Sequence, residues 1–299
     1  VPELTNPRAE RVKAVRALAG RSARARHGQF LAEGPQAARE AVRSHGSGFS
    51  VRDLYVTDAA AQRHPEIPAE ATAAGIRVHT ASPEVLEAMS GDAQGVLAVV
   101  AGSARSLADV LAGGPQLVAV LAHVRDPGNA GAVIRAADSA GAAAVVVTSE
   151  SVDVHGPKVV RSTAGSLFHV PVVTGVPLSE VLSSLRAAGL TVLATDAAGA
   201  HDLDDLQDEA ADARRTSPQC GGEHSDAATS SGARAHDRAT PDLCAPTAWL
   251  FGNEAWGLSQ ADRDGADAVV RVPIHGRAES LNLATAAAVC LYASARAQR

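Results

Sequence analysis

Leu117-Val118-Ala119-Val120-Leu121 constrains the fold more than any other five residues of this chain. The run has no polar side to turn toward water. A one-sided antiparallel sheet cannot hold it, whereas a parallel strand covered by helices on both faces can. The chain then keeps to one alternation. Residues 143–147, 170–173, 191–194, 249–251 and 268–272 are further short apolar runs, and the stretches before Gly141 and over 179–188 and 282–296 suit helices. The pattern predicts an α/β domain on an open, mostly parallel sheet with helices on both faces. No Gly-x-Gly-x-x-Gly follows a strand, which weighs against an ordinary Rossmann domain.

Residues 1–104 read as a separate small α/β domain. Helices are expected over 8–19 and 35–44, and strands over 29–34, 51–57, 76–79 and 96–100. A Gly/Ser/Ala-rich stretch over 101–115 marks the boundary, with a short helix from Leu107, and the second domain covers 105–299. Residues 207–246 are rich in Ser, Thr, Asp, Gly, Ala and Arg with almost no large apolar side chain, and are expected to be a disordered acidic insertion.

The formal net charge is −6, which at first argues against a nucleic-acid partner, but the charge is unevenly placed. Residues 199–247 carry ten acidic and four basic side chains, whereas residues 1–50 carry nine basic and four acidic ones. The acidity therefore belongs to one segment and the N-terminal region is basic, either as a solvated helical face or as a footprint for RNA. No apolar run reaches membrane-spanning length, and the first twenty residues lack a signal-peptide pattern. Cys220, Cys244 and Cys290 lack metal-ligand spacing and are read as thiols of a reducing cytoplasm, with a Cys220–Cys244 disulfide as the minor alternative.

Three polar turns carry the chemistry, each after an apolar strand. The first is Asp126-Pro127-Gly128-Asn129-Ala130-Gly131, with Arg135 on the helix behind it. Asp126 or Asn129 can cap that helix, and Arg135 either extends along the surface or grips a phosphate with its planar fork. The second is Leu250-Phe251-Gly252-Asn253-Glu254-Ala255-Trp256-Gly257, where glycines permit a tight backbone and Trp256 can serve as a packing anchor. The third, Val272-Pro273-Ile274-His275-Gly276-Arg277-Ala278-Glu279-Ser280-Leu281-Asn282-Leu283, sets a carboxylate, a hydroxyl and an amide at the start of an Ala-rich helix. Helix N-termini favour polar ligands, with Ser280 as a plain helix cap the lesser alternative.

Taken in this order, the three turns resemble the signature motifs of the SpoU (TrmH-like) branch of the SPOUT RNA methyltransferases, over about residues 117–297. The segment from Arg24 through Gly34 resembles the entry to that family's substrate-binding domain. The resemblance implies S-adenosylmethionine-dependent methylation of a ribose 2′-hydroxyl in ribosomal or transfer RNA, a C-terminal trefoil knot, a homodimer and no metal. Carried onto this chain it implies a catalytic set of Arg135, Asn129, Glu254, Ser280 and Asn282. For the cofactor it implies Thr195, Leu250, Gly252, Asn253, Gly257, Val272, Pro273, Ile274, Ser280, Leu281, Asn282 and Leu283, and for RNA Arg24, Arg26 and Arg135. Ala255 departs from the family's frequent glycine. A non-catalytic RNA-binding module keeping the same fold is the alternative, and a methyltransferase for a small molecule or a protein is a third.

Overall fold

The structure, a computed structural model, describes residues 2–102, 105–216 and 240–299. The chain divides into two compact units. The first comprises Val1–Arg105, Asp126–Arg135 and Val152–Val172, the second Ser106–Arg125, Ala136–Ser151 and Val173–Arg299.

Four strands form the sheet of the first unit: β1 (Gln29–Glu33), β2 (Phe49–Val56), β3 (Arg77–Thr80) and β4 (Val96–Gly102), in the order β1-β4-β2-β3. Residues alternate between its faces with the period of two that a strand imposes. Phe30, Ala32, Leu54, Val56, Val96, Ala98 and Val100 share one buried cluster with Ala37, Ala38 and Ala41 of α3 (Gly34–Arg43). Leu31, Tyr55, Leu97 and Val99 point the other way. They meet Val12 and Val15 of a helix over Glu10–Ala17 (α1) and Val85, Leu86 and Met89 of a helix over Pro83–Met89 (α6). Three short helices, α2 (Arg21–His27), α4 (Asp58–Arg63) and α5 (Glu66–Ala73), complete the N-terminal part.

The larger sheet has seven strands: β5 (Leu117–Leu121), β6 (Ala144–Val147), β7 (Val172–Thr174), β8 (Thr191–Thr195), β9 (His201–Asp202), β10 (Thr247–Phe251) and β11 (Ala268–Arg271). Their order is β7-β6-β5-β10-β8-β11-β9, and the pairings from β6 to β9 are all parallel. Late strands are thus inserted between earlier ones: β10 enters between β5 and β8, and β11 between β8 and β9.

Both faces are covered, as the unbroken apolar runs require. Val118, Val120, Val192, Ala194, Ala248 and Leu250 pack with Val181, Leu182 and Leu185 of α10 (Leu178–Ala187) and Leu107 of α7 (Leu107–Ala112). Trp249 faces the opposite side, where α13 (Leu283–Ala297) lies, and its indole Nε1–H donates to Ser294 Oγ at 2.9 Å. That bond satisfies the one polar atom of a fully buried side chain. Cys290 on the same helix is buried, which pushes its thiol pKa up.

One expectation fails in part. The segment 207–246 was expected to lack structure from its start, yet α11 (Leu203–Thr216) is helical. Leu203, Leu206 and Ala210 recur at helical spacing and are buried, and the helix lies against α13. Three apolar residues on one face suffice once a partner helix is present. Leu243 is also buried. Residues 217–239, and with them Cys220, lie outside the described residues.

Candidate active site

Because β5, β8, β10 and β11 run parallel, the loops after them leave the same end of the sheet. The second and third sequence-derived turns start there.

The turn after β10 is the tightest. A Cβ on Gly252 would stand 2.4 Å from the Gly257 carbonyl carbon and 2.6 Å from the Leu258 nitrogen, so only glycine fits. Asn253 is buried, and its backbone exchanges two hydrogen bonds of 2.9 Å with Gly257. Its side-chain Nδ2–H donates to the His123 carbonyl at 2.8 Å, and its Oδ1 accepts from the Ala255 N–H at 2.8 Å. The amide therefore braces the turn from within. Glu254, next along, is exposed, and its Oε2 accepts from the Arg125 N–H at 3.3 Å.

His123 was not singled out from the sequence. It has φ +58°, a left-handed conformation uncommon for a residue with a side chain. Four contacts hold it there. Its N–H donates to Thr148 Oγ1 at 3.3 Å, and its carbonyl accepts from Asn253. Its imidazole lies 2.8 Å from a Glu150 carboxylate oxygen and 3.8 Å from one of Asp262. Asp262 in turn caps α12 (Gln260–Asp264) through a capping box with Ser259. A histidine after an apolar strand has no periodic signal, so nothing in the sequence marked it.

Thr195 closes β8 and donates from Oγ1 to the Leu250 carbonyl at 3.2 Å. Asp196 pairs with Arg263 at 2.9 Å, and Arg263 also donates to the Leu258 carbonyl at 2.7 Å, so the loop after β8 is tied to the turn after β10. The loop after β11 is the open one. Val272 and Pro273 are half-buried, Ile274 through Asn282 are exposed, and Leu283 is half-buried at the helix start. Asn282, not Ser280, caps α13, with its Oδ1 accepting the Ala284 N–H at 2.9 Å. The Ser280 hydroxyl is therefore not the cap of that helix.

Asn129 and Arg135 fall in the first unit, on α8 (Pro127–Ala140). Asp126 caps this helix by accepting the Asn129 N–H at 2.7 Å, and Pro127 occupies its first position. Arg135 is exposed. A Cβ on Gly131 would meet Ser162 and Val159 of a helix over Pro157–Ser162 (α9) at 2.4 and 2.9 Å, which fixes the helix closely against its neighbour.

The two N-terminal arginines separate. Arg26 is exposed on the last turn of α2, whereas Arg24 is buried. The Arg24 Nε and Nη2 both reach Asp153 Oδ2, at 3.1 and 2.7 Å, and its Nη1 donates to the Leu18 and Ala19 carbonyls. This corrects its assignment as an RNA contact: it ties the end of α1 to the 153 loop, and composition alone could not reveal a partner 129 residues away. Burial works to raise the Asp153 pKa, but the Arg24 guanidinium and the His155 N–H outweigh it and leave the group below its ordinary value. A carboxyl depressed on folding contributes stability above its unfolded pKa and loses it as pH falls through the folded value. Arg24→Ala is expected to cost about 2–3 kcal/mol by urea unfolding, at or below the bottom of the range for orphaning a buried charge because Asp153 is partly exposed. That loss should shrink toward acidic pH.

Family models match most of the chain. The SpoU rRNA Methylase family matches residues 116–292. The chain belongs to this family. A second match, the MRM3-like substrate binding domain, covers residues 9–98. A 23S rRNA (guanosine-2'-O-)-methyltransferase from Bordetella pertussis is 30% identical over 257 residues, 83% of this chain and 89% of that protein. The structure of an AdoMet-bound rRNA methyltransferase from Sinorhizobium meliloti is 27% identical with a TM-score of 0.74, covering 98% of this chain and 97% of that one. The SpoU methyltransferase AviRb from Streptomyces viridochromogenes, in complex with AdoMet, is 30% identical with a TM-score of 0.72, covering 97% and 98%. The mixed α/β architecture with a large, mostly parallel sheet and an additional N-terminal domain is that of these SPOUT structures. Among the described residues no group of three His, Cys, Asp or Glu side chains is arranged to hold a metal, and no helix is long and apolar enough to cross a membrane.

Proposed function

We propose that the protein transfers a methyl group from S-adenosylmethionine to a ribose 2′-hydroxyl of ribosomal RNA. The observation that carries this reading is the Gly252–Gly257 turn, in a chain whose relatives of nearly full length act on 23S rRNA at that hydroxyl. The residues present fit the cofactor. Gly252 lets the turn close against the Gly257 and Leu258 backbone, where a Cβ would clash, and the 272–282 loop is exposed and carries the Ser280 hydroxyl. Thr195, Leu250, Gly252, Asn253, Gly257 and the residues from Val272 to Leu283 would hold it.

Bound S-adenosylmethionine supplies an activated methyl group on a sulfonium, so the protein's task is alignment and proton removal. A guanidinium does not give up its proton in a protein, so the base is a group other than an arginine. The role of Arg135 is to grip an RNA phosphate and stabilise the developing alkoxide, with the phosphate or water taking the proton. Asn129, Glu254, Ser280 and Asn282 are the polar groups assigned to orienting the ribose. Gly252 and the buried amide of Asn253 keep the turn in shape for this.

The first unit holds the RNA, with exposed Arg26 among its contacts. The interleaved strand order supports a knotted C-terminal chain, an exception to the usual rule of unthreaded connections. The exposed Val289 and Tyr292 on α13 support a homodimer. A ribosomal RNA substrate supports a cytoplasmic location. Mapping 2′-O-methyl positions in cellular ribosomal RNA with and without the protein tests the reading. One position that loses its methyl group in the protein's absence, and regains it in vitro with purified protein and S-adenosylmethionine, is the expected outcome. Methylation unchanged at every position overturns it.

A further inference from the structure

Aromatic side chains are scarce here, and two of the eight are tryptophans. Trp249 is fully buried behind the sheet, but Trp256 is 56% exposed and belongs to the same turn as Asn253 and Glu254. Leaving an indole in water forfeits the stabilisation its burial would give, so the position calls for a partner. The backbone beneath it is fixed. The two Asn253–Gly257 hydrogen bonds close the turn on either side of Trp256, Asn253 Oδ1 pins the Ala255 N–H, and Gly257 has φ +69°. The ring also has a cation on it: the Arg125 guanidinium carbon lies 5.3 Å from the ring centroid, and the Arg125 N–H is the donor to Glu254. An open aromatic plane with a guanidinium on one side matches a nucleotide, whose base stacks and whose phosphate pairs with the cation.

We propose that Trp256 and Arg125 form a stacking platform for a nucleobase of the RNA substrate, at the rim of the turn that carries Glu254. The proposal rests on the reading of the protein as an RNA methyltransferase and adds where a base is held. Neither residue belongs to the catalytic or cofactor set above, and the platform acts on RNA affinity alone. A second copy of the chain covering the indole is the competing occupant, and charge favours RNA, because an arginine beside an apolar plane is better matched by a phosphate than by another protein's apolar face.

The two tryptophans make the test selective, since only Trp256 meets solvent. Adding a short single-stranded oligoadenylate to the full-length protein is expected to quench its tryptophan emission, and inorganic polyphosphate, which offers charge without bases, is not. Trp256→Phe should abolish the quench. In methyl transfer to ribosomal RNA, Trp256→Ala should raise KM for RNA by about 10–100-fold, as loss of one stacked base implies. Its kcat and its affinity for S-adenosylmethionine should stay unchanged, and Trp256→Phe should recover most of the KM. Arg125→Ala should raise KM less and flatten its salt dependence. The proposal is overturned by an oligoadenylate quench that is absent or survives in Trp256→Phe. It is equally overturned if Trp256→Ala leaves KM for RNA unchanged while converting a sedimenting dimer to monomer, which would assign the indole to a second copy. If the wild-type protein methylates no ribosomal RNA, the methyltransferase reading falls, whereas a Trp256-dependent quench would still support the platform.

Discussion

Replacing Arg135 with alanine is expected to lower methyl transfer by about 10²–10³-fold, the loss typical of removing one preorganised group that stabilises charge in a transition state. The affinity for S-adenosylmethionine should not change. The position explains the division of effects. Arg135 is exposed on α8, with Val133, Ile134 and Ala137 around it buried in the protein. Truncating it removes no packing and leaves no carboxylate without its partner among the ion pairs of the described residues. Stability should therefore stay within the small range of ordinary surface substitutions. A Lys substitution keeps the charge but not the planar fork, so Arg135→Lys should recover only part of the rate if the phosphate is gripped at two points. Single-turnover rates at saturating RNA, with calorimetric titration of S-adenosylmethionine into each variant, make the measurement. An alanine variant that turns over normally would remove Arg135 from the mechanism and shift the proposal toward the RNA-binding module.

What the sequence made legible follows from burial. Strands β5, β8 and β10 are covered on both faces, and their unbroken apolar runs could be read directly. The start of α8 was readable because Asp126-Pro127 is a capping signal with a local mechanism, and its end because Gly141 adopts φ +75°. Short helices such as α5, which contains Pro68, have too few turns to establish a period. The acidic α11 is not legible locally because its apolar face packs on α13, about a quarter of the chain away. Arg24 and His123 were missed for a related reason. Charge and residue type are local, whereas the Asp153 carboxylate that captures one, and the Thr148, Glu150, Asn253 and Asp262 groups that hold the other, come from distant segments. At the candidate site the residue types were legible and their division of labour was not. The sequence marked Asn253 and Asn282 as polar groups of the site, but not that the first also braces a turn and the second also caps a helix.

Gly252→Ala should be the most damaging methyl group that can be added to these turns, and the other glycines provide its controls. A Cβ at 252 would lie 2.4 and 2.5 Å from the Gly257 carbonyl carbon and oxygen and 2.6 Å from the Leu258 nitrogen. All three are backbone atoms, so no rotamer change relieves the clash, and the turn must open. Opening it breaks the Asn253–Gly257 bonds and pulls the Asn253 amide from the His123 carbonyl, leaving buried polar groups unsatisfied. The expected cost is about 2–4 kcal/mol of stability, the range for overpacking combined with a lost buried hydrogen bond. Binding of S-adenosylmethionine should weaken at least ~100-fold, equivalent to about 2.7 kcal/mol. Gly257 has open space at its Cβ but φ +69°, so Gly257→Ala should cost only about 1–2 kcal/mol of backbone strain. Gly276 has neither obstacle, and Gly276→Ala should be close to neutral in urea unfolding. The ranking 252, 257, 276 separates a steric role from a conformational one, and binding isotherms on the same variants link each to the cofactor. Normal affinity in Gly252→Ala would mean that the turn does not hold the cofactor.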